Sequence, residues 1–252
     1  MKTAVISGGN GGLGRALAKG LQARGWHTVL LDRDVTGLAA NAGQTPVQVD
    51  LTDTAALNAA ITGVLAARPS VDLVVYNAGI SQIAAFADTP DETHRRVFEI
   101  NYFAAVAMAR GFLDAVRQAN GAHLAISSVA GFSPLYHRTA YAASKHALEG
   151  FFGSLRSEEA PHGVRVQVAA PSFVATNIGN AERSADGIVR PGSARDGLDY
   201  MTPEAAAAEI LKGLDRGRAF IPVGRVARLS WWIHRLSPGL FERLMVRNIR
   251  GA

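Results

Sequence analysis

The sequence predicts an α/β chain folded as a single doubly wound parallel sheet of about seven strands, and three observations carry that expectation. Along the first 170 residues, short apolar runs rich in β-branched residues alternate with longer stretches of helical period, the pattern of strand–helix–strand units around a parallel sheet. The 252 residues are 48% hydrophobic and 19% charged, with 26 Gly and 10 Pro. That ordinary globular composition can bury a core and excludes collagen-like, disordered and disulfide-scaffold classes. No linker, internal repeat or low-complexity segment divides the chain, and right-handed crossovers covering both faces make one sandwich the consistent architecture.

In chain order, the first strand is expected at Thr3–Ser7 and the first helix, which begins inside a glycine run, at Gly12–Arg24. Apolar runs place the next strands at His27–Leu31 and Pro46–Val49. Thr52 and Asp53 then signal the start of a helix over Thr54–Ala67. A strand at Val71–Tyr76 leads to a long helix over Arg95–Gln118, and a strand at Ala122–Ser127 to another over Thr139–Ala160. Between strands at Val164–Ala169 and Ala219–Pro222, the run Thr202-Pro203-Glu204 opens a helix over Pro203–Arg216. Two stretches fall outside the pattern. Phe173–Met201 is polar, Gly-containing and without period, and so long a loop in a compact domain is usually functional, often a lid. Gly224–Ala252, beyond the last strand, is the other.

With no cysteine in the chain, disulfides, thiolate metal sites and a Cys nucleophile are excluded. Met1 and Lys2 run straight into the apolar stretch Thr3–Ser7, far too short for a signal peptide or a membrane span, so a cytoplasmic protein is expected. The net charge of +5 is unevenly placed: residues 216–252 hold eight Arg and one acid, whereas residues 1–215 hold 18 basic and 20 acidic groups. A nucleic-acid-binding body needs a basic face of its own, so no nucleic-acid partner is expected.

The first strand runs into Ser7-Gly8-Gly9-Asn10-Gly11-Gly12-Leu13-Gly14. Glycines permit positive φ and close backbone approach, and a helix starting there aims unpaired N–H groups and its dipole at a pyrophosphate. Asp32, 24 residues after Gly8, stands where a dinucleotide fold places an acid against the adenosine ribose diol. A carboxylate there repels a 2′-phosphate and so favours NAD over NADP, although Arg33 lies next to it. Tyr141-Ala142-Ala143-Ser144-Lys145 puts a phenol and an ammonium one helical turn apart on one face. A nearby cation favours the phenolate, and a phenol tuned in this way can exchange a proton with an alcohol or carbonyl oxygen.

Up to about residue 222 the chain resembles the classical short-chain dehydrogenase/reductases, with their Rossmann-type fold. Their pattern is T-G-x-x-x-G-x-G, N-A-G, a helical Asn, a Ser thirteen residues before Y-x-x-x-K, and P-G-x-V-x-T. The matching residues are Ser7-Gly8 with Gly12-Leu13-Gly14, then Asn77-Ala78-Gly79, Asn101, Ser128, Tyr141 with Lys145, and Pro171-Ser172-Phe173-Val174-Ala175-Thr176. Three departures are Ser7 for Thr, which keeps the hydroxyl, Tyr76 where a second Asn is common, and Ser172 for Gly. The resemblance implies that Tyr141 is the general acid/base, Ser128 orients and polarises the substrate oxygen, Lys145 holds the nicotinamide ribose and lowers the phenol pKa, and Asn101 positions a water. It further implies that Asp50 and Leu51 contact the adenine, that Asn77, Ala78 and Gly79 wall the adenosine, and that Pro171, Val174 and Thr176 lie near the nicotinamide. The Asp50-Leu51 and Asn77-Ala78-Gly79 motifs could instead be turn chemistry. Residues 1–222 then form the dinucleotide-binding and catalytic domain, and 223–252 its basic amphipathic extension. Seven His residues scatter without ligand spacing, so no metal site is expected; His137, four residues before Tyr141, could face substrate or simply the surface.

In the family the substrate pocket is lined after Ser128, here by Phe132, Leu135, Tyr136 and His137, which favours a bulky or apolar alcohol or ketone. The function expected is an NAD-dependent oxidoreductase interconverting a secondary alcohol and a ketone. Its rivals are a non-catalytic dinucleotide-binding sensor or scaffold, and an epimerase or dehydratase on the same scaffold. The tail around 225–250 combines apolar helical stripes, paired Trp and Arg, which fits peripheral membrane contact, a flap over the active site or a subunit interface. The long helices at 95–118 and 139–160 resemble those that pair subunits in the family, so a homodimer or homotetramer is expected.

Overall fold

The structure, a computed structural model, describes residues 1–176, 187–189 and 200–250, the side chains of 248–250 excepted. Seven parallel strands form one sheet: β1 (Thr3–Ser7), β2 (His27–Asp32), β3 (Gln44–Gln48), β4 (Leu73–Tyr76), β5 (Ala122–Ile126), β6 (Arg165–Pro171) and β7 (Phe220–Val223). Their spatial order is β3-β2-β1-β4-β5-β6-β7. The winding therefore reverses between β1 and β4, and a crevice opens beyond their carboxyl ends.

Successive side chains on a strand point to opposite faces, and both faces here are apolar, as a sheet covered on two sides requires. Ala4, Ile6, Leu73, Val75 and Leu124 face α1 (Gly12–Gln22) and α7 (Pro203–Asp215). The residues between them, Val5, Val74, Tyr76 and Ala125, face α2 (Thr54–Ala67), α4 (Ala104–Gly111), α5 (Leu113–Gln118) and α6 (Thr139–Glu159). Asp53 caps α2 by accepting from Ala55 and Ala56, and Thr202 caps α7 by accepting from Ala205. Pro46 and Pro222 lie within β3 and β7, the two edge strands, where a missing N–H is tolerated.

The helix expected over Arg95–Gln118 is instead three. It starts earlier, as α3 (Asp91–Phe98), passes through a π turn at Glu99–Phe103 into α4, and breaks again at Phe112 before α5. The buried amide of Asn101 lies in that π turn, and π turns of this kind frequently mark functional positions. Of the loop expected at Phe173–Met201, residues 177–186 and 190–199 lie outside the described residues. Ile188–Val189 pairs antiparallel with Ser81–Gln82 in a small second sheet. The tail forms α8 (Arg225–Leu236) and α9 (Pro238–Arg250). It packs on the body through Ala227 and Phe241, clustered with Val129, and through Trp231, which stacks on Phe220 of β7 at 6.0 Å. Among the described residues no helix is long and apolar enough to cross a membrane.

Candidate active site

Ser7 ties together the two turns that border the crevice. Its hydroxyl accepts from the backbone N–H groups of Asn77 (3.0 Å) and Ala78 (3.1 Å) and donates to the carbonyl of Val75 at 3.4 Å. Serine in place of threonine thus keeps the one group the junction needs. The Asn77 amide returns the link by donating to the carbonyls of Ser7 and Gly8, at 3.1 and 3.0 Å. Gly8 bends at φ +62°, and a Cβ on it would stand 2.9 Å from the Ala78 backbone, so the rim requires glycine there. Asn77 and Ala78 are therefore bracing elements as well as a wall.

Helix α1 begins after Gly11 with no side-chain cap and no acid in its first turn, which leaves the N–H groups of Gly12, Leu13 and Gly14 for an anion. A dinucleotide pyrophosphate fits that donor set. Asp32, at the end of β2, accepts from the N–H groups of Asn10 (2.9 Å) and Asp34 (3.2 Å) on different oxygens. Each oxygen retains a lone pair for a ribose hydroxyl. Arg33 beside it is exposed. Arg15 was not singled out from the sequence, yet it spans the same rim, donating to the carbonyls of Asn10 (3.1 Å), Thr36 (3.3 Å) and Gly37 (3.4 Å). Only the fold could bring it there. Asp50 spends one oxygen on the N–H and hydroxyl of Thr52, at 2.9 and 2.7 Å, and these bonds, backbone first, hold its carboxyl below the usual range. Leu51 packs half-buried against the core.

Across the crevice, Ser128 starts the short 3-10 turn Val129–Gly131, accepts from Ala130 N–H at 3.2 Å, and carries a hydroxyl that favours the ionised form of the Tyr141 phenol. Lys145 is buried, donates from Nζ to the carbonyl of Ile126 at 2.9 Å and lies 5.8 Å from the centre of the Tyr141 ring. Asn101 accepts from Ile80 N–H at 2.8 Å and donates to Ile80 carbonyl and to Ser144 Oγ, each at 3.0 Å. Ser144 in turn donates to the Tyr141 carbonyl at 2.8 Å. The Asn101 side chain thus braces the turn after β4 against the catalytic helix. A Cβ on Gly79 would lie 3.2 Å from Asn101 Oδ1 and 3.6 Å from Lys145 Nζ, so all four positions converge on one end of the crevice.

Burial pushes the Tyr141 phenol up, while the hydrogen bond to Ser128 and the charge of Arg138 pull it down. Lys145 is pushed down to about 8 by burial, with Glu149 opposing. Lys145 Nζ is anchored on the Ile126 carbonyl while lying 5.8 Å from the Tyr141 ring centre, and Ser128 and Arg138 add to the influences that favour the phenolate. Glu149, one turn beyond Lys145, accepts from Ser127 Oγ at 2.6 Å and is pushed up to about 7 by burial. Neither Arg138 nor Glu149 was picked out from the sequence.

After Pro171 at the end of β6, Ser172 N–H donates to the carbonyl of Val223 at 3.2 Å, and its buried hydroxyl meets no partner among the described residues. Val174 pairs with Met201, and a Cβ on Gly12 would lie 3.1 Å from Thr176, so this turn closes onto the glycine cradle. Phe132, expected in the substrate pocket, instead meets Phe220 edge-on at 5.7 Å and packs beneath the tail helices. Tyr136 and His137 stack at 3.8 Å, with His137 exposed at φ +58°.

The profile of the short chain dehydrogenase family matches residues 2–187. A Bos taurus protein named dehydrogenase/reductase SDR family member 7B is 34% identical over 267 residues, covering 98% of this chain and 81% of the relative. A solved short chain dehydrogenase from Burkholderia cenocepacia in complex with NADP has a TM-score of 0.84 at 22% identity, covering 98% of this chain and 99% of that one. Another, from Burkholderia phymatum in complex with NAD, has a TM-score of 0.80 at 22% identity, covering 95% and 94%.

Proposed function

Because the chain belongs to the short-chain dehydrogenase family of oxidoreductases, we propose that it interconverts a secondary alcohol and a ketone, bulky or apolar in its substituents, with NAD in preference to NADP. The observation that carries this reading is the grouping of Tyr141, Lys145 and Asn101, with Lys145 Nζ 5.8 Å from the Tyr141 ring centre and Asn101 tied through Ser144 to the Tyr141 carbonyl, at the mouth of a crevice whose other wall is the glycine cradle. A bound nicotinamide supplies the group that gives or takes hydride. In ketone reduction Tyr141 donates its phenolic proton to the carbonyl oxygen while the carbonyl carbon gains hydride; in alcohol oxidation the phenolate takes the hydroxyl proton. Ser128 donates to the same oxygen and stabilises its developing charge. Lys145 fixes the nicotinamide ribose, and Asn101 holds the catalytic helix, with the relay water placed where the π turn interrupts the helical bonds. Asp32 accepts from the adenosine ribose diol and disfavours a 2′-phosphate.

Alcohols screened by NADH absorbance test the reading. Stoichiometric NADH formation is expected, with kcat/KM higher for NAD than for NADP. A turnover that leaves the dinucleotide unchanged would favour an epimerase or dehydratase, and binding without turnover a sensor. Tyr141→Phe is expected to lower kcat by about 10²–10⁴-fold while dinucleotide affinity stays within a few-fold; retained turnover refutes the assignment. We also carry a homodimer or homotetramer through the helices around 95–118 and 139–160, supported by the half-exposed Phe103 ring beside Tyr102, which itself meets Phe151.

A further inference from the structure

We propose that α8 and α9 form a docking face for the surface of an anionic lipid bilayer. In a helix of period 3.6, Leu229, Trp232 and Leu236 share one side of α8, and that side faces solvent, with exposures of 62%, 59% and 80%. The opposite side is spent on the body, through Ala227 and the stack of Trp231 on Phe220. Beyond the Ser237 turn, Leu240 and Leu244 continue as exposed apolar residues on α9 while Phe241 is buried. The usual order is inverted: a solvent-facing helix side carries leucine and tryptophan.

Charge selects the occupant. Exposed Arg225, Arg243 and Arg247 flank these apolar residues, and Glu242 is the one acid among eight Arg in residues 216–252. Arg228 and Arg235 are already engaged, with Glu209 at 2.9 Å and over the Trp231 ring at 4.3 Å. A second copy of the chain brings the same basic patch against itself, which repels. Anionic headgroups complement it, leucine enters the acyl boundary, and tryptophan suits the headgroup level. With 12 and 13 residues, these helices are too short to span and suit a helix lying in the plane of the interface. The body-facing side of α8 packs on the 3-10 turn after Ser128, so docking would hold the catalytic wall at a fixed orientation to the bilayer.

The test is co-sedimentation of the full chain with vesicles of phosphatidylcholine alone or mixed with phosphatidylserine. Binding is expected to the mixed vesicles only, falling as ionic strength rises. Arg243→Gln with Arg247→Gln should weaken it about 25-fold, at roughly fivefold per arginine. Trp232→Ser with Leu236→Ser should weaken it at least about tenfold, and the arginine pair, whose side chains are exposed, should melt at the parental temperature. The proposal is overturned if the mixed vesicles sediment no protein, if both vesicle types sediment it equally, or if both variants bind like the parent. It is overturned equally if the same substitutions abolish self-association measured without lipid while vesicle binding is absent.

Discussion

Tyr141 is poised by two opposing influences: burial favours the neutral phenol, whereas the Ser128 hydroxyl and the Arg138 charge favour the phenolate. Alcohol oxidation needs the deprotonated form, so its rate should climb with pH well past neutrality, while ketone reduction stays level across neutral pH. Ser128→Ala removes one of the two acidifying influences, and the alkaline limb of kcat for oxidation should move to higher pH, with kcat lower by about 10–10³-fold. An unmoved limb in the pH–rate profile would show that the serine does not tune the phenol. The grouping of Ser128, Tyr141 and Lys145 was legible in the sequence, because residue type and helical spacing are properties that a sequence displays. Arg138, Glu149 and Arg15 were not, since their effect depends on which carbonyls and rings the fold sets beside them. Phe132 was misplaced because an aromatic near a catalytic serine reads alike whether it faces substrate or the underside of a tail helix.

At the level of elements, strands were legible where β-branched residues recur on both faces of the sheet, as in β1 and β4. The break in the long helix was hidden, since Glu99–Phe103 keeps helical composition while its hydrogen-bond pattern widens around Asn101. The helices behind the sheet are fastened by one ion pair that sequence could not pair up: Arg117 of α5 grips Glu159 of α6 through two bonds, at 2.6 and 2.9 Å. Glu159 is 1% exposed, so removing its partner strands a buried carboxylate. Arg117→Ala should destabilise the protein, measured as a lower urea midpoint, whereas Arg117→Ala combined with Glu159→Leu should recover most of that loss. A single variant as stable as the parent would mean the pair contributes nothing to holding α5 on α6.

Across the whole molecule, two groups shifted by burial, one on a strand and one on a helix, set the acid response in opposite directions. His123 of β5 is fully buried against Tyr76, which it meets at 2.6 Å, and burial pushes it down to about 4 from 6.5. Between those values the unfolded chain binds the extra proton, so stability falls as pH drops. Glu149 of α6 is pushed up to about 7 from 4.5, so the folded chain binds the extra proton and stability rises as pH drops through that window. At about 1.4 kcal/mol per pKa unit, each contributes about 3–4 kcal/mol over its full window, and the windows overlap between roughly pH 4.5 and 6.5. The parental unfolding free energy should therefore be nearly flat across that range. His123→Gln keeps an acceptor for the Tyr76 hydroxyl but cannot be charged, so its stability should rise as pH falls from 6.5 to 5. Glu149→Gln keeps the bond from Ser127 and leaves His123 unopposed, so its stability should fall over the same interval. Chemical denaturation at closely spaced pH values resolves the two slopes. Parallel curves for the two variants would show that the balance does not lie between these groups, and that another pair of buried sites sets how the fold meets acid.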